Sequence, residues 1–297
     1  MPKVKLEGIF VPNVTPFDRQ GGIDADALGR LVDFWLGRGV SGLVVNASTG
    51  EGPLLSRQEQ GKLLELMLDR AGGKVKVIAG TGAVGTRGTI ELTMDARDRG
   101  AEAALVVTPY FFKPSDEELF HHYSHLLASV DMPVVLYNVP KFTGYSIAPR
   151  VIERIAREHD NLAGVKDSSS DPGLMAEIIR LVGDRVSVLS GSGDMILPNL
   201  ALGGKGAIVA IANVIPGTCV DIYDAFVSGD LRESGGLQMK ASYVNKVLIR
   251  DHSQIAALKY ALSLRGLDAG IPRRPLMPLP QKEERDVSEA LKSIDLF

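Results

Sequence analysis

The chain has 297 residues, 45% of them hydrophobic, with 33 Lys+Arg against 36 Asp+Glu and a formal net charge of −3. That balance leaves no basic footprint for nucleic acid or an anionic membrane, no apolar run approaches the ~18 residues of a membrane span, and one cysteine, Cys219, excludes an internal disulfide. The segment Met1–Gly8 lacks the apolar core of a signal peptide, so a cytoplasmic protein is the expectation.

Along the chain, apolar and β-branched runs alternate with segments of helical period. Ile9–Val14 reads as a strand followed by a helix over Asp24–Arg38, and Gly42–Val45 as a strand followed by Ser56–Arg70. Val75–Ala79 leads to Arg87–Arg99, and Ala103–Thr108 to Asp116–Val130. Val134–Tyr137 precedes Ala148–His159, Leu162–Lys166 precedes Pro172–Leu181, Val186–Ser190 precedes Met195–Leu202, and Gly206–Ile211 is the eighth strand signal. Ser56-Arg-Gln-Glu59 and Ser115-Asp-Glu-Glu118 have the form of capping boxes, in which hydroxyl and carboxylate each satisfy a free backbone N–H. Eight such units predict an α/β protein, and their number favours a closed (β/α)8 TIM barrel over an open doubly wound sheet.

After Ile211 the alternation stops. Pro216–Val227, Leu231–Ile249 and Ser253–Leu264 read as helices ahead of the proline-rich stretch Ile271–Pro280. The expected organisation is a barrel over residues 1–225 with a C-terminal helical extension, 226–297, packed on it.

In such a barrel the chemistry sits on loops that follow the strands. Leu162–Val165 delivers Lys166, and Pro133–Leu136 delivers Tyr137 about one βα unit earlier, so the two are expected side by side. An amine nucleophile beside a phenol that moves protons suits Schiff-base chemistry. A lysine of pKa near ~10.4 is almost wholly protonated at neutral pH, so this role requires burial or a cationic neighbour. Each residue also has a plain structural reading: Lys166 as a surface residue paired with Asp167, Tyr137 as a packed aromatic.

Ser48-Thr49-Gly50-Glu51 reads equally as an ordinary loop or as a nest of hydroxyls and backbone N–H groups for a carboxylate. Gly80-x-Gly-x-x-Gly85 matches a dinucleotide fingerprint, but the acidic residue expected on the next strand is missing, and the match is discounted. His121, His122 and His125 lack a further ligand at fitting spacing and read as a solvated helix face, so neither metal nor cofactor is expected.

Val14-Thr-Pro-Phe17, Ser48-Thr-Gly-Glu51, Gly80-Thr-Gly82, Thr108-Pro-Tyr110, Tyr137-Asn-Val-Pro140, Gly164-Val-Lys-Asp167 and Ser190-Gly191 follow in order over essentially the whole chain. As a set they resemble the dihydrodipicolinate synthase/N-acetylneuraminate lyase family of class I pyruvate aldolases. The resemblance implies that Lys166 forms an imine with pyruvate or a 2-keto acid, that Tyr137 shuttles protons with Thr49 linking it to a relay, and that Ser48, Thr49 and Gly50 hold the pyruvate carboxylate. It implies that backbone carbonyls at Gly191 and Ile208 face the substrate, that Tyr110 and Phe142 border the second substrate, and that the assembly is a homotetramer, a dimer of dimers.

Two positions depart from the synthases that the resemblance brings in. Their arginine for the second substrate's carboxylate falls at Phe142 here, with Lys141 adjacent, and their relay tyrosine from a neighbouring subunit falls at Phe111. The expected activity is therefore a lyase or aldolase on a 2-keto-3-deoxy sugar acid or 4-hydroxy-2-oxo acid, with pyruvate and a small aldehyde or 2-keto acid as partners. 4-Hydroxy-tetrahydrodipicolinate (dihydrodipicolinate) synthase is the enzymatic alternative. A non-catalytic keto-acid sensor is the alternative of a different class.

Overall fold

The eight apolar runs form eight parallel strands paired in chain order, with β1 joined to β8, in a computed structural model that describes residues 5–294 and 296. The strands are β1 Gly8–Pro12, β2 Gly42–Val45, β3 Lys76–Gly80, β4 Ala103–Val107, β5 Val134–Asn138, β6 Leu162–Asp167, β7 Ser187–Ser190 and β8 Gly206–Ile208. Part of the reading of Met1–Gly8, at residues 1–4, lies outside the described residues.

Successive side chains of a strand face opposite ways, and here both faces are apolar. Phe10, Val44, Ile78, Leu105, Val135, Leu189 and Ile208 fill the barrel, while Ile9, Val11, Leu43, Val45, Val77 and Val188 meet the surrounding helices. Burial on both sides is why the strands read as continuous apolar runs rather than alternating ones. Gly206 closes the seam: its φ is +148°, and a Cβ there would lie 2.0 Å from the Gly8 carbonyl oxygen.

The outer helices are α1 Ala25–Leu36, α2 Arg57–Ala71, α3 Thr86–Asp98, α4 Asp116–Ser129, α5 Pro140–Thr143, α6 Pro149–Glu158, α7 Pro172–Val182 and α8 Ile196–Ala201. Both capping boxes form, at Ser56 with Glu59 and at Ser115 with Glu118. α9 Pro216–Val227, α10 Leu231–Asn245, α11 Gln254–Leu264 and α12 Gln281–Lys292 make up the C-terminal helical part. Among the described residues no helix is long and apolar enough to cross a membrane.

The structure differs from expectation in four places. β8 stops at Ile208 because a 3-10 turn over Ala210–Asn213 swings Asn213 back onto β1, where its Nδ2 donates to Pro12 O (2.8 Å) and its Oδ1 accepts from Val14 N (2.9 Å). The reading of one helix over Leu231–Ile249 breaks at Asn245 into a π turn, Lys246–Arg250. α5 is a single turn, opened by Pro140 and closed by Gly144 at φ +80°, too short to carry a period. α12 escaped notice because only Val287 and Leu291 of it are buried.

Candidate active site

Parallel pairing of β5 with β6 sets Tyr137 opposite Lys166 in register. Lys166 Nζ stands 4.1 Å from the Tyr137 ring centroid, and both residues are buried. The alternation of the strand sends the next pair, Asn138 and Asp167, the other way. Asp167 accepts from Asn138 Nδ2 (2.6 Å) and from the Ser169 hydroxyl (2.6 Å), so the ion pair with Lys166 weighed above does not form. Burial lowers the Lys166 pKa, while Tyr137 beside it pulls in the opposite direction. Burial likewise raises the Asp167 carboxyl, against its hydrogen bonds to Ser169 and Asn138. Desolvation therefore favours the neutral, nucleophilic amine at Lys166.

The turn after β2 is a 3-10 turn over Ser48–Gly50. Ser48 Oγ lies 3.4 Å from the Tyr137 hydroxyl. Thr49, where the relay is expected, lines the same cavity, and the hydroxyl in hydrogen-bond reach of Tyr137 is that of Ser48. Gly50 closes the turn. Its N–H is taken by Ala47 O (3.0 Å), leaving Ser48 and Thr49 as the first amides of the turn, the ones a helical turn leaves without internal acceptors. Gly50 is required sterically, since a Cβ would stand 2.8 Å from Asn13 O. The left-handed residue is Glu51, at φ 58°.

A cavity of about 350 Å³ brings together Ser48, Thr49, Tyr137, Phe142, Lys166 and Gly191. A Cβ at Gly191 would meet Ser168 Oγ at 1.8 Å and Ser168 Cβ at 2.9 Å, so any side chain there would displace Ser168. Ile208 is buried in the barrel interior on β8, packed among the same strands. A second cavity of about 670 Å³ shares Ser48, Tyr137 and Phe142 and is bordered by Tyr110. Phe142, half-exposed at 53%, is therefore common to both, as is Lys141, whose amine lies 5.6 Å from the Phe142 ring centroid. Phe111 and Phe112 stand outward, 87% and 72% exposed and edge to face, with Phe111 at φ 80°.

Sequence reasoning missed Ser168, Ser170, Asn245, Arg250 and Gln254, all on the wall of the smaller cavity. The first two lie in the small polar run just past Lys166, where three consecutive serines give no signal of which one faces the cavity. The other three come from the C-terminal part, where no pattern links them to the barrel mouth. The three histidines do not converge: His121 pairs with Glu117 (3.2 Å), while His122 is buried, bonded to Thr86 Oγ1 (2.8 Å) and pushed down to about 4 by desolvation. Among the described residues no group of three or more His, Cys, Asp and Glu is placed to hold a metal ion.

Residues 5–294 match the model of the Dihydrodipicolinate synthetase family. The chain is 36% identical to 4-hydroxy-tetrahydrodipicolinate synthase of Prosthecochloris aestuarii, covering 100% of both. It is 34% identical to the enzyme of that name from Methanocaldococcus jannaschii, over 98% of this chain and 100% of the other. Among solved structures it is similar to dihydrodipicolinate synthase from Thermotoga maritima, with a TM-score of 0.96 and 33% identity over 99% and 100% of the two chains. A prophage protein of E. coli K12 from the dihydrodipicolinic acid synthase family, solved in complex with pyruvate, gives 0.95 and 28% over the same shares.

Proposed function

This chain belongs to the dihydrodipicolinate synthetase family, and we propose that it is a class I pyruvate lyase that condenses pyruvate with aspartate semialdehyde as a 4-hydroxy-tetrahydrodipicolinate synthase. The observation that carries the reading is Lys166, buried, with its pKa lowered, in register with Tyr137. A sensor would need only the carboxylate-binding turn. A desolvated lysine beside a phenol serves turnover.

The Lys166 amine adds to C2 of pyruvate and water leaves, giving a protonated imine that draws electrons from C3. Loss of a C3 proton yields the enamine, whose C3 forms a bond to the aldehyde carbon while the aldehyde oxygen takes up a proton. The acceptor's own amine then adds at C2 and displaces Lys166, closing the ring and returning the free lysine. Tyr137, in reach of Ser48 Oγ, moves protons at the imine nitrogen and at these oxygens. The Ser48 and Thr49 amides and hydroxyls hold the pyruvate carboxylate, with the Gly191 and Ile208 carbonyls toward the substrate and Phe142 and Tyr110 on the acceptor side.

Cleavage of a 2-keto-3-deoxy sugar acid or 4-hydroxy-2-oxo acid, put first on sequence grounds, is the second reading. Phe142 and Phe111 favour it, because neither supplies the polar group that the synthases carry there. The names of the relatives favour the synthase instead. A side-by-side assay of aspartate semialdehyde condensation and keto-deoxy acid cleavage decides: faster cleavage by ten-fold or more would replace the synthase reading.

The same reading includes a homotetramer, supported by the exposed Phe111–Phe112 pair and tested by light scattering in solution. It includes a cytoplasmic location, to which the lone and buried Cys219 is suited. It also treats 226–297 as an extension of the 1–225 barrel, in keeping with the bonds from Lys259 and Arg273 to Glu51 and Glu59.

A further inference from the structure

The smaller cavity has an uneven charge. Its wall carries two cationic side chains, Lys141 and Arg250, besides the Lys166 amine, and no aspartate or glutamate. Once Lys166 is an imine and the pyruvate carboxylate rests on the Ser48–Thr49 turn, Lys141 and Arg250 still lack a counter-charge from substrate.

Arg250 is the better built of the two. It ends the π turn that follows α10, and such single wide turns cluster at functional sites. From behind the wall it is paired with Asp194, whose side chain is only 14% exposed against 56% for the arginine. Asp194 is itself fixed, accepting from Asn245 Nδ2 (3.1 Å) and from the Ser192 hydroxyl. One guanidinium N–H group is engaged in this pair, and the others have no protein partner among the described residues. An arginine held at one edge keeps its second edge as a planar donor fork, which matches a carboxylate bidentately. Lys141 supplies a point charge on the neighbouring wall, above the Phe142 ring.

We propose that Arg250, assisted by Lys141, receives a carboxylate carried by the acceptor aldehyde, in place of a contact that Phe142 cannot make. The assignment rests on Lys166 being the imine-forming residue. It selects acceptors with a free carboxylate over neutral ones, since an uncharged polyol tail offers no charge to the open edge of the Arg250 guanidinium or to Lys141.

The test is steady-state kinetics of the full-length enzyme with pyruvate and either aspartate semialdehyde or propanal, alongside borohydride trapping of pyruvate. Arg250→Gln should lower kcat/KM for aspartate semialdehyde by about 10- to 100-fold, chiefly through its KM, the size expected for losing hydrogen bonds to a charged group. The rate with propanal and trapping at Lys166 should change less than about three-fold, well below that range. Arg250→Lys keeps charge without the fork and should fall between, which covers a poorly folding glutamine variant. Lys141→Gln should act in the same direction with a smaller loss. Equal losses on both aldehydes, no loss on either, or a wild-type enzyme that prefers propanal would overturn the assignment while intact trapping leaves the Schiff-base reading standing. Failure of the wild type to trap pyruvate would overturn both.

Discussion

Glu51 and Lys259 form an ion pair, Oε1 to Nζ 2.8 Å, with side chains 0% and 1% exposed, immediately after the Ser48–Gly50 turn. Glu51 Oε2 also accepts from Arg273 N (2.7 Å), and Lys259 Nζ donates to Ile271 O (3.0 Å). Both cations lie over Phe17, each 4.4 Å from its ring centroid. The C-terminal part thus holds Glu51, and with it the end of the Ser48–Gly50 turn, through α11 and the proline-rich segment.

Removing one partner of a buried pair leaves an uncompensated charge and costs about 3–5 kcal/mol. Lys259→Met should lower the unfolding free energy by that amount. The double variant Lys259→Met/Glu51→Gln should recover part of the loss because no lone charge remains. Urea denaturation of the single and double variants measures both. A single variant as stable as wild type would show that the pair is not closed in solution.

The neighbouring pair predicts an acid limb. Glu59 is held at about 2, below its usual 4.5, chiefly by its hydrogen bond to Arg273, with Ser56 adding and burial opposing. A carboxylate depressed in the fold contributes stability above its unfolded pKa and loses it as pH falls through the folded one. The contribution should therefore be complete above roughly pH 5 and fade toward pH 2. Glu59→Gln should lower Tm by a constant amount above about pH 5 and meet the wild-type profile toward pH 2, so that this part of the acid limb is flattened. An unchanged acid limb would mean that other carboxylates dominate it.

Much of this was legible without coordinates because barrel strands buried on both faces leave apolar runs that end at the chemistry. Lys166 and Tyr137 follow from the run lengths alone, since parallel neighbours in near-equal register bring their ends together. Ser48 against Thr49 was not legible. Which of two adjacent hydroxyls faces Tyr137 depends on a three-residue turn with no period of its own. Arg250 was hidden for a different reason: it reaches the cavity through a π turn, and a helical pattern read at 3.6 residues per turn passes straight over the extra residue. Family resemblance could not supply it, since the arginine it leads one to look for is at Phe142.

For Lys166 the expectation is a reduced pyruvyl adduct at this residue after pyruvate and borohydride, seen by peptide mass spectrometry. Because burial lowers its pKa, the rate of trapping should rise with pH to a midpoint below the ordinary lysine value of 10.5. Tyr137 opposes that shift, so Tyr137→Phe should move the midpoint lower still. Lys166→Arg keeps a charge but no usable amine, and should abolish turnover while circular dichroism stays native. An adduct on another lysine would end the assignment.

The last prediction separates Ser48 from Thr49. General acid–base groups contribute roughly 10²–10⁴-fold, so Tyr137→Phe should lower kcat by about that factor while pyruvate is still trapped, more slowly. If the proton path from Tyr137 runs through Ser48 Oγ at 3.4 Å, Ser48→Ala should lower kcat at least ~10-fold, part of the tyrosine effect. The loss should not be additive with Tyr137→Phe, because groups acting as one unit fail together. Thr49→Val removes a hydroxyl that does not meet Tyr137 and keeps the backbone amide. It should act mainly on the KM for pyruvate. Measuring kcat and KM for the three single variants and the Ser48→Ala/Tyr137→Phe double variant tests the order. A larger fall in kcat for Thr49→Val than for Ser48→Ala would return the relay to Thr49 and require the turn to rearrange when pyruvate binds.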